Sequence, residues 1–376
     1  MNAILEYPGS TFLYVLVILI ATGMVCINTR RSWNIVLAVV IISIFEGLRA
    51  PNVGIDTTGY IRDTFMQIVA GNFQNAYGDT GFKFVCLVLL KISSDSISFT
   101  LFGIAFLTNI FVFFRLKDFS KVASYPLMIF VYLSLHMIPS MNTMRQYLAS
   151  AIVFWACRYL EKNKYTRYLI GIAVATTIHF SSIIGLVFLL IYIIMDETRS
   201  IKQKQWTEIL LFLIVVWGVI FYPYIEKILN LEQQYANYLA QANTSINFGN
   251  VISVKLLIYI SLFAIFVSRY HKKDYLCCKF DKDFYKLREV IVICIFALLL
   301  EGVGAFFTYL NRLSQSFSLY ESVVVASFWG RSRKKYMFSI TIPEVLKIVL
   351  LLIVIYELYS ALSLDGYRVM PYNWNW

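Results

Sequence analysis

Residues 33–60 read WNIVLAVVIISIFEGLRAPNVGIDTTGY. The first sixteen positions are apolar except for Asn34, Ser43 and Glu46, close to the length of a helix that crosses a bilayer. The run ends on Arg49 and passes into a Pro/Gly turn that carries Asp56, flanked by Gly54 and Gly59. A guanidinium and a carboxylate this close to lipid are costly, so the stretch reads as a site more readily than as a linker.

The rest of the chain extends that reading. Of 376 residues, 59% are hydrophobic, 17% aromatic and 15% charged, against about 25% charged in ordinary soluble domains. Apolar runs recur from end to end, and no polar stretch exceeds about 30 residues, too short for a core of its own. The expectation is an all-α polytopic bundle of about ten spans forming one integral membrane domain over residues 1–376. The first apolar run lacks a basic leader and a small-residue cleavage site, so it reads as a retained span.

The net charge of +11 does not point to nucleic acid. Lys and Arg gather in short loops between apolar runs, where they orient the protein and meet anionic lipid. The six cysteines fall mostly within apolar runs and read as small hydrophobes. Cys277-Cys278 has no ligand partner at metal-binding spacing. No metal or other cofactor is expected.

Candidate spans are 11–28, 33–48, 97–114, 124–139, 146–160, 207–222, 251–268, 289–307, 314–330 and 340–358. Assigning the basic loops to the cytoplasm puts both termini outside. The scheme closes only if 168–195 enters and leaves on the same side, as two half-helices meeting near His179; one long tilted helix is the alternative. Residues 82–92 read as an interfacial or re-entrant helix. The long outer loops 49–96 and 223–250 are expected to fold over a cavity.

Three outer arginines, Arg49, Arg145 and Arg312, abut span ends. Arg holds phosphate through a planar, permanently charged fork, so their convergence would make a receptor for pyrophosphate or carboxylate. Arg49 has a bland alternative, pairing with Asp56 or with Glu46 one turn earlier. Arg145-Gln146 opens a span, where an unpartnered Arg opposes the helix dipole and asks for an anion, lipid headgroup or substrate. His179, followed by Ser181 and Ser182, is either a packed residue or a base in a wet cavity. Arg312 follows Tyr309 at the end of another span and could equally snorkel within an aromatic belt. Glu301 is expected to face the interior in an ion pair. Tyr235, Tyr238 and Trp374 could stack on sugar faces or anchor the interface.

No Asp-rich metal motif, P-loop, Gly-x-Ser-x-Gly or His-Glu-x-x-His is present. Energy for a reaction would therefore come from an activated substrate.

Three linked elements, Arg49…Gly54-Ile-Asp56…Tyr60, Arg145-Gln146-Tyr-Leu-Ala and Ala175-Thr-Thr-Ile-His179-Phe-Ser181-Ser182, with a late Arg312, resemble the EpsG/Wzy-like family of bacterial polysaccharide polymerases. The likeness covers about 45–315; the last 60 residues are similar only in being apolar. It implies an architecture like that of multi-span, lipid-donor (GT-C-like) glycosyltransferases. It also implies polymerisation of undecaprenyl-pyrophosphate-linked oligosaccharide repeat units outside the bacterial cytoplasmic (inner) membrane, in service of O-antigen, capsule or exopolysaccharide. Partners would be lipid-linked donor and acceptor, the bilayer, and a chain-length regulator and flippase. On that reading Arg145 and Arg312, with Arg49, bind the pyrophosphate, assisted by Gln146, Tyr60, Tyr309 and Ser181. Either His179 or Asp56 activates the acceptor hydroxyl. A flippase would instead predict an internal repeat, and none is visible. A membrane O-acyltransferase would place Arg and His in its first spans, and 11–28 has neither. A structural subunit of a secretion complex is the remaining alternative.

Overall fold

The computed structural model describes residues 2–27, 32–50, 52–195, 255–260, 282–304, 308–329 and 344–374. Among these the protein is all-helical, with one isolated β-bridge between Arg49 and Trp374. The expected span 207–222 and loop 223–250, with Tyr235 and Tyr238, lie outside the described residues, as do most of 251–268 and Cys277-Cys278.

A short turn α1 (Ala3–Glu6) leads into α2 (Pro8–Ile27) and α3 (Ser32–Gly47). A π-turn over Thr57–Ile61 runs into α4 (Arg62–Val69), followed by α5 (Thr80–Ile92), α6 (Ile97–Lys117), α7 (Tyr125–Asn142), α8 (Met144–Leu160) and α9 (Tyr165–Ile178). A 3₁₀ turn, Phe180–Gly185, separates α9 from α10 (Leu186–Met195). After the long undescribed stretch come α11 (Lys282–Gly304), α12 (Thr308–Ser318), α13 (Glu321–Ser327) and α14 (Glu344–Leu364). Among the described residues three helices are long and apolar enough to cross a membrane by themselves: Pro8–Ile27, Ile97–Lys117 and Lys347–Leu364; Ser32–Gly47 is apolar but shorter. The expected count of about ten is thus not reached among the described residues by length and composition alone.

Packing explains which helices differ from expectation. The run 314–330 was expected to be one span, but it is broken into α12 and α13 by a turn at Leu319-Tyr320. Phe317, Leu319, Tyr320, Val323, Val324 and Ala326 are all fully buried. These apolar residues pack protein rather than lipid, because α13 lies against α7 and α12 against α8 and α11. Helix α6 is the centre of the N-terminal half, held between α3 and α8. Its approach to α3 is close enough that a Cβ on Gly47 would collide with the Phe102 backbone at 2.5 Å.

The segment 168–195 reverses direction. Tyr168 donates to the carbonyl of Gly185, and the Ile172 side chain would meet a Cβ on Gly185. In one continuous helix these residues would stand roughly 25 Å apart at 1.5 Å per residue. The chain instead folds back at His179, whose backbone is extended (φ −152°, ψ 116°). The single tilted helix is therefore excluded in favour of two half-helices.

One end of the bundle is fixed by ions. Arg115 is fully buried, bonded to Glu161, Asp118 (3.2 Å) and the Phe154 carbonyl (3.1 Å), while Arg158 pairs with Asp118 at 2.6 Å. The basic loops after α6 and α8 are thereby tied together through the carboxylates of Asp118 and Glu161. The opposite end is closed by residues 365–374. Ala50 N–H donates to Asn373 O (2.8 Å), Gly54 N–H to Arg368 O (2.8 Å) and Ile55 N–H to Tyr367 O (3.2 Å). Tyr372 stacks on Phe45 at 4.2 Å, and Trp374 meets both rings edge-on. Trp374 is thus a packing residue here.

Candidate functional site

Gly54 has φ +96°, a backbone angle that glycine adopts without strain. It lets the turn carry Asp56 back against α7, where Asn142 Oδ1 accepts the Asp56 N–H at 3.4 Å. Asp56 is 8% exposed. Tyr60 lies within the π-turn that follows.

Arg49 does not stand in an open vestibule. It is 1% exposed, and its guanidinium donates to the Glu46 carbonyl, the Met141 carbonyl (2.7 Å) and Thr57 Oγ1 (3.1 Å), with Met144 Sδ at 3.3 Å. These partners are neutral atoms of α3, α7, α8 and the π-turn. The Glu46 carboxylate turns elsewhere, to Asn109 (2.9 Å) and Ser140 (3.3 Å). A cavity of about 10 Å³ beside them, lined by Thr108, Ile104 and Met144 among others, has room for roughly one water. Arg49 therefore locks the signature turn onto three helices. The structure thus buries Arg49 among neutral partners, with its Nε–H left without one, and does not bring it together with Arg145 and Arg312 as the sequence reading expected.

The groups that do meet are Arg145, His179 and a carboxylate that the sequence reading passed over, Asp79. The loop before α5 is Gly71-Asn-Phe-Gln-Asn-Ala-Tyr77-Gly78-Asp79. It is clamped from below by Lys83, whose ammonium donates to the Phe73 carbonyl at 3.1 Å and lies over the Phe73 ring, and by Thr64 bonding the Tyr77 carbonyl at 3.2 Å. Gly78 has φ +116°, and a Cβ there would press on the Arg145 guanidinium at 3.2 Å. Gly81 lies so close to α9 that a Cβ would be 2.7 Å from the Thr177 carbonyl. These two approaches bring the loop onto Arg145 and onto the end of α9. Asp79 Oδ2 then lies 3.7 Å from Arg145 Nη1 and 3.4 Å from His179 Nδ1. The Arg145 guanidinium also sits over the Tyr77 ring at 4.8 Å. Side-chain exposures are 13% for Arg145, 17% for His179 and 32% for Asp79, so the trio lies at a mouth rather than in the core.

Helix α12 lies alongside. The Gln146 amide donates to the Arg312 carbonyl, Gln315 donates to Thr143 Oγ1 at 3.3 Å, and Ser150 and Ser316 share a hydrogen bond of 2.8 Å. The backbone of Arg312 is thus held beside the start of α8, and its side chain is partly exposed. Gln146 is occupied by this bond, which makes it a tie between helices. Tyr309 belongs to α12. Ser181 and Ser182, next to His179, are buried in the 3₁₀ turn. Glu301 accepts from Ser314 at 3.2 Å on the same inner face, and Lys255 pairs with Glu321 (2.7 Å) and Glu357 (2.6 Å) deeper in the bundle.

A base poised against a carboxylate beside a guanidinium, at one end of a helical bundle, is a set suited to moving a proton next to an anionic group. The sequence matches the EpsG family model over residues 32–374. The chain belongs to the EpsG family. This is a family of Wzy-like polysaccharide polymerases and exopolysaccharide-biosynthesis proteins, so the protein has a polysaccharide polymerase role and is membrane-embedded. Curated proteins and solved structures yield no match. The EpsG match runs to residue 374, past the 45–315 expected. The closing segment 365–374 hydrogen-bonds directly to the Arg49–Ile55 turn, which gives the extension a structural reason.

Sequence reasoning missed Asp79, Tyr77 and Lys83. A signal was present: Gly78-Asp79-Thr-Gly81 repeats the pattern of a carboxylate between glycines seen at Gly54-Ile-Asp56-Thr-Thr-Gly59.

Proposed function

We propose that this EpsG-family protein joins lipid-linked oligosaccharide repeat units on the extracytoplasmic side of the bacterial cytoplasmic membrane, using undecaprenyl pyrophosphate as leaving group. The observation that carries the reading is the shared carboxylate: His179 and Arg145 approach the same oxygen of Asp79. Arg145, seated on the Tyr77 ring, offers its fork to the donor's pyrophosphate. Arg312, held beside it through Gln146, adds a second cation. His179 takes the role of base rather than Asp56, because Asp56 is enclosed by its own turn and His179 opens toward Arg145.

The chemistry is a displacement. With Nδ1–H turned to Asp79, the Nε2 lone pair of His179 accepts the proton of an acceptor-sugar hydroxyl. The hydroxyl oxygen forms a bond to the donor's anomeric carbon. The bond from that carbon to the pyrophosphate oxygen breaks, and its electron pair leaves with undecaprenyl pyrophosphate. Arg145 and Arg312 stabilise the charge that develops there.

Cells carrying Arg145→Ala or His179→Ala are expected to accumulate single repeat units on lipid and to make no long glycan chains. Arg145→Lys is expected to lose at least about tenfold in chain-forming activity, since Lys keeps the charge but not the fork or the stacking plane. Gel ladders of extracted glycan check this. Normal ladders in cells that express Arg145→Ala and His179→Ala at wild-type level would overturn the assignment.

A further inference from the structure

Asp79 serves two partners with one atom. Its Oδ2 stands 3.4 Å from His179 Nδ1 and 3.7 Å from Arg145 Nη1, both longer than the roughly 2.7–2.9 Å of a strong charge-assisted hydrogen bond. The carboxylate is therefore divided, fully engaged by neither group. It is also the most exposed of the three, on a loop that turns at Gly78. Its two neighbours are fixed more firmly. Arg145 is on a helix and stacked on Tyr77, and His179 caps α9 with its own N–H bonded to the Ala175 carbonyl at 2.9 Å.

A phosphate carries more charge and more acceptor oxygens than one carboxylate, and it competes for the same guanidinium fork. We propose that Asp79 is a positioning residue that exchanges partners when donor pyrophosphate arrives, releasing Arg145 and closing onto His179. The inference rests on the function proposed above. The phosphate oxygens take the Arg145 N–H groups, and the freed, like-charged carboxylate moves away from the phosphate toward the imidazole. There it accepts a full hydrogen bond from Nδ1–H. That fixes the tautomer whose Nε2 lone pair faces the acceptor hydroxyl. The base is thus aimed only once a donor is in place. By reciprocity, breaking the Asp79–Arg145 contact lowers donor affinity slightly in the wild type, and removing the carboxylate's charge relieves that competition.

The test is steady-state polymerisation by the purified full-length protein, with lipid-linked repeat units extracted from cells that lack it. Asp79→Asn is expected to lower kcat by about 100-fold or more, on the order of a general-base contribution, while KM for donor falls or stays level. Asp79→Glu, which keeps the charge, is expected to recover at least about tenfold over Asp79→Asn. A rise in KM with kcat nearly intact would mean that Asp79 merely holds Arg145 in place, and it would overturn the exchange, as would an Asp79→Glu variant no better than Asp79→Asn. A second measurement needs no variant fold. In ¹⁵N-histidine-labelled wild type, which has three histidines, saturating inorganic pyrophosphate is expected to shift the His179 Nδ1–H proton downfield. An unmoved resonance in protein that binds pyrophosphate would overturn the proposal. Wild type that makes no polymer would sink the function itself. Active wild type with inactive Arg145→Ala, but no kcat/KM split at Asp79, would sink only the partner exchange.

Discussion

Arg49 and Arg145 are the same side chain with different work to do, and the difference is what surrounds each fork. Arg49 donates to two buried carbonyls and a threonine hydroxyl. Replacing it by Met leaves those acceptors without a donor, at about 1–3 kcal/mol apiece. Arg49→Met is therefore expected to lower the unfolding temperature in detergent markedly, while whatever protein remains folded still makes chains of wild-type length. An unchanged melting temperature would contradict the role as a peg. The sequence made Arg49 conspicuous because it named the cost of charge near lipid, and that cost is real. It could not say that Met141 would supply a carbonyl, since that partner depends on how α7 crosses α3. Asp79 did not stand out despite its flanking glycines, for the complementary reason: an acidic residue in a polar loop costs nothing until a His and an Arg are brought to it from α9 and α8.

At the scale of elements, the site depends on the contact between the start of α5 and the end of α9. Gly81 permits it, because any Cβ there runs into the Thr177 backbone. Gly81→Val is expected to part the two helices and to separate Asp79 from His179. A misplacement of about 1 Å is expected to cost on the order of 100-fold in polymerisation rate, with helical content by circular dichroism unchanged. Full activity in Gly81→Val would show that the contact does not set the geometry. Most helices were legible from hydropathy, with ends close to those observed for α2, α3, α6 and α8. The run 314–330 was not, since its apolar residues from Phe317 to Ala326 are buried against other helices, and burial in protein and exposure to lipid select the same residue types. The fold-back at His179 was legible only as a topological demand: the basic loops could not otherwise share one side.

For the molecule as a whole, the ion network of Arg115, Asp118, Arg158 and Glu161 marks one end and the closing segment 365–374 the other. If the network end is cytoplasmic, single cysteines at positions 79, 145 and 312 are expected to react with an impermeant maleimide from outside intact cells, and cysteines at 121 and 162 only after permeabilisation. Positions 79 and 145 labelling on the same side as 121 would refute the placement of the site. The helical class and membrane character followed from the length of the apolar runs, because an unbroken apolar run of about 20 residues satisfies its own backbone in lipid as a helix. The most direct test of the central claim is chemical. Purified wild-type protein given lipid-linked repeat units should yield a ladder of lengthened glycans and free undecaprenyl pyrophosphate, and His179→Ala and Arg145→Ala should yield neither. Ladders from those two variants equal to wild type would contradict the claim that glycosyl transfer happens where Arg145, Asp79 and His179 meet.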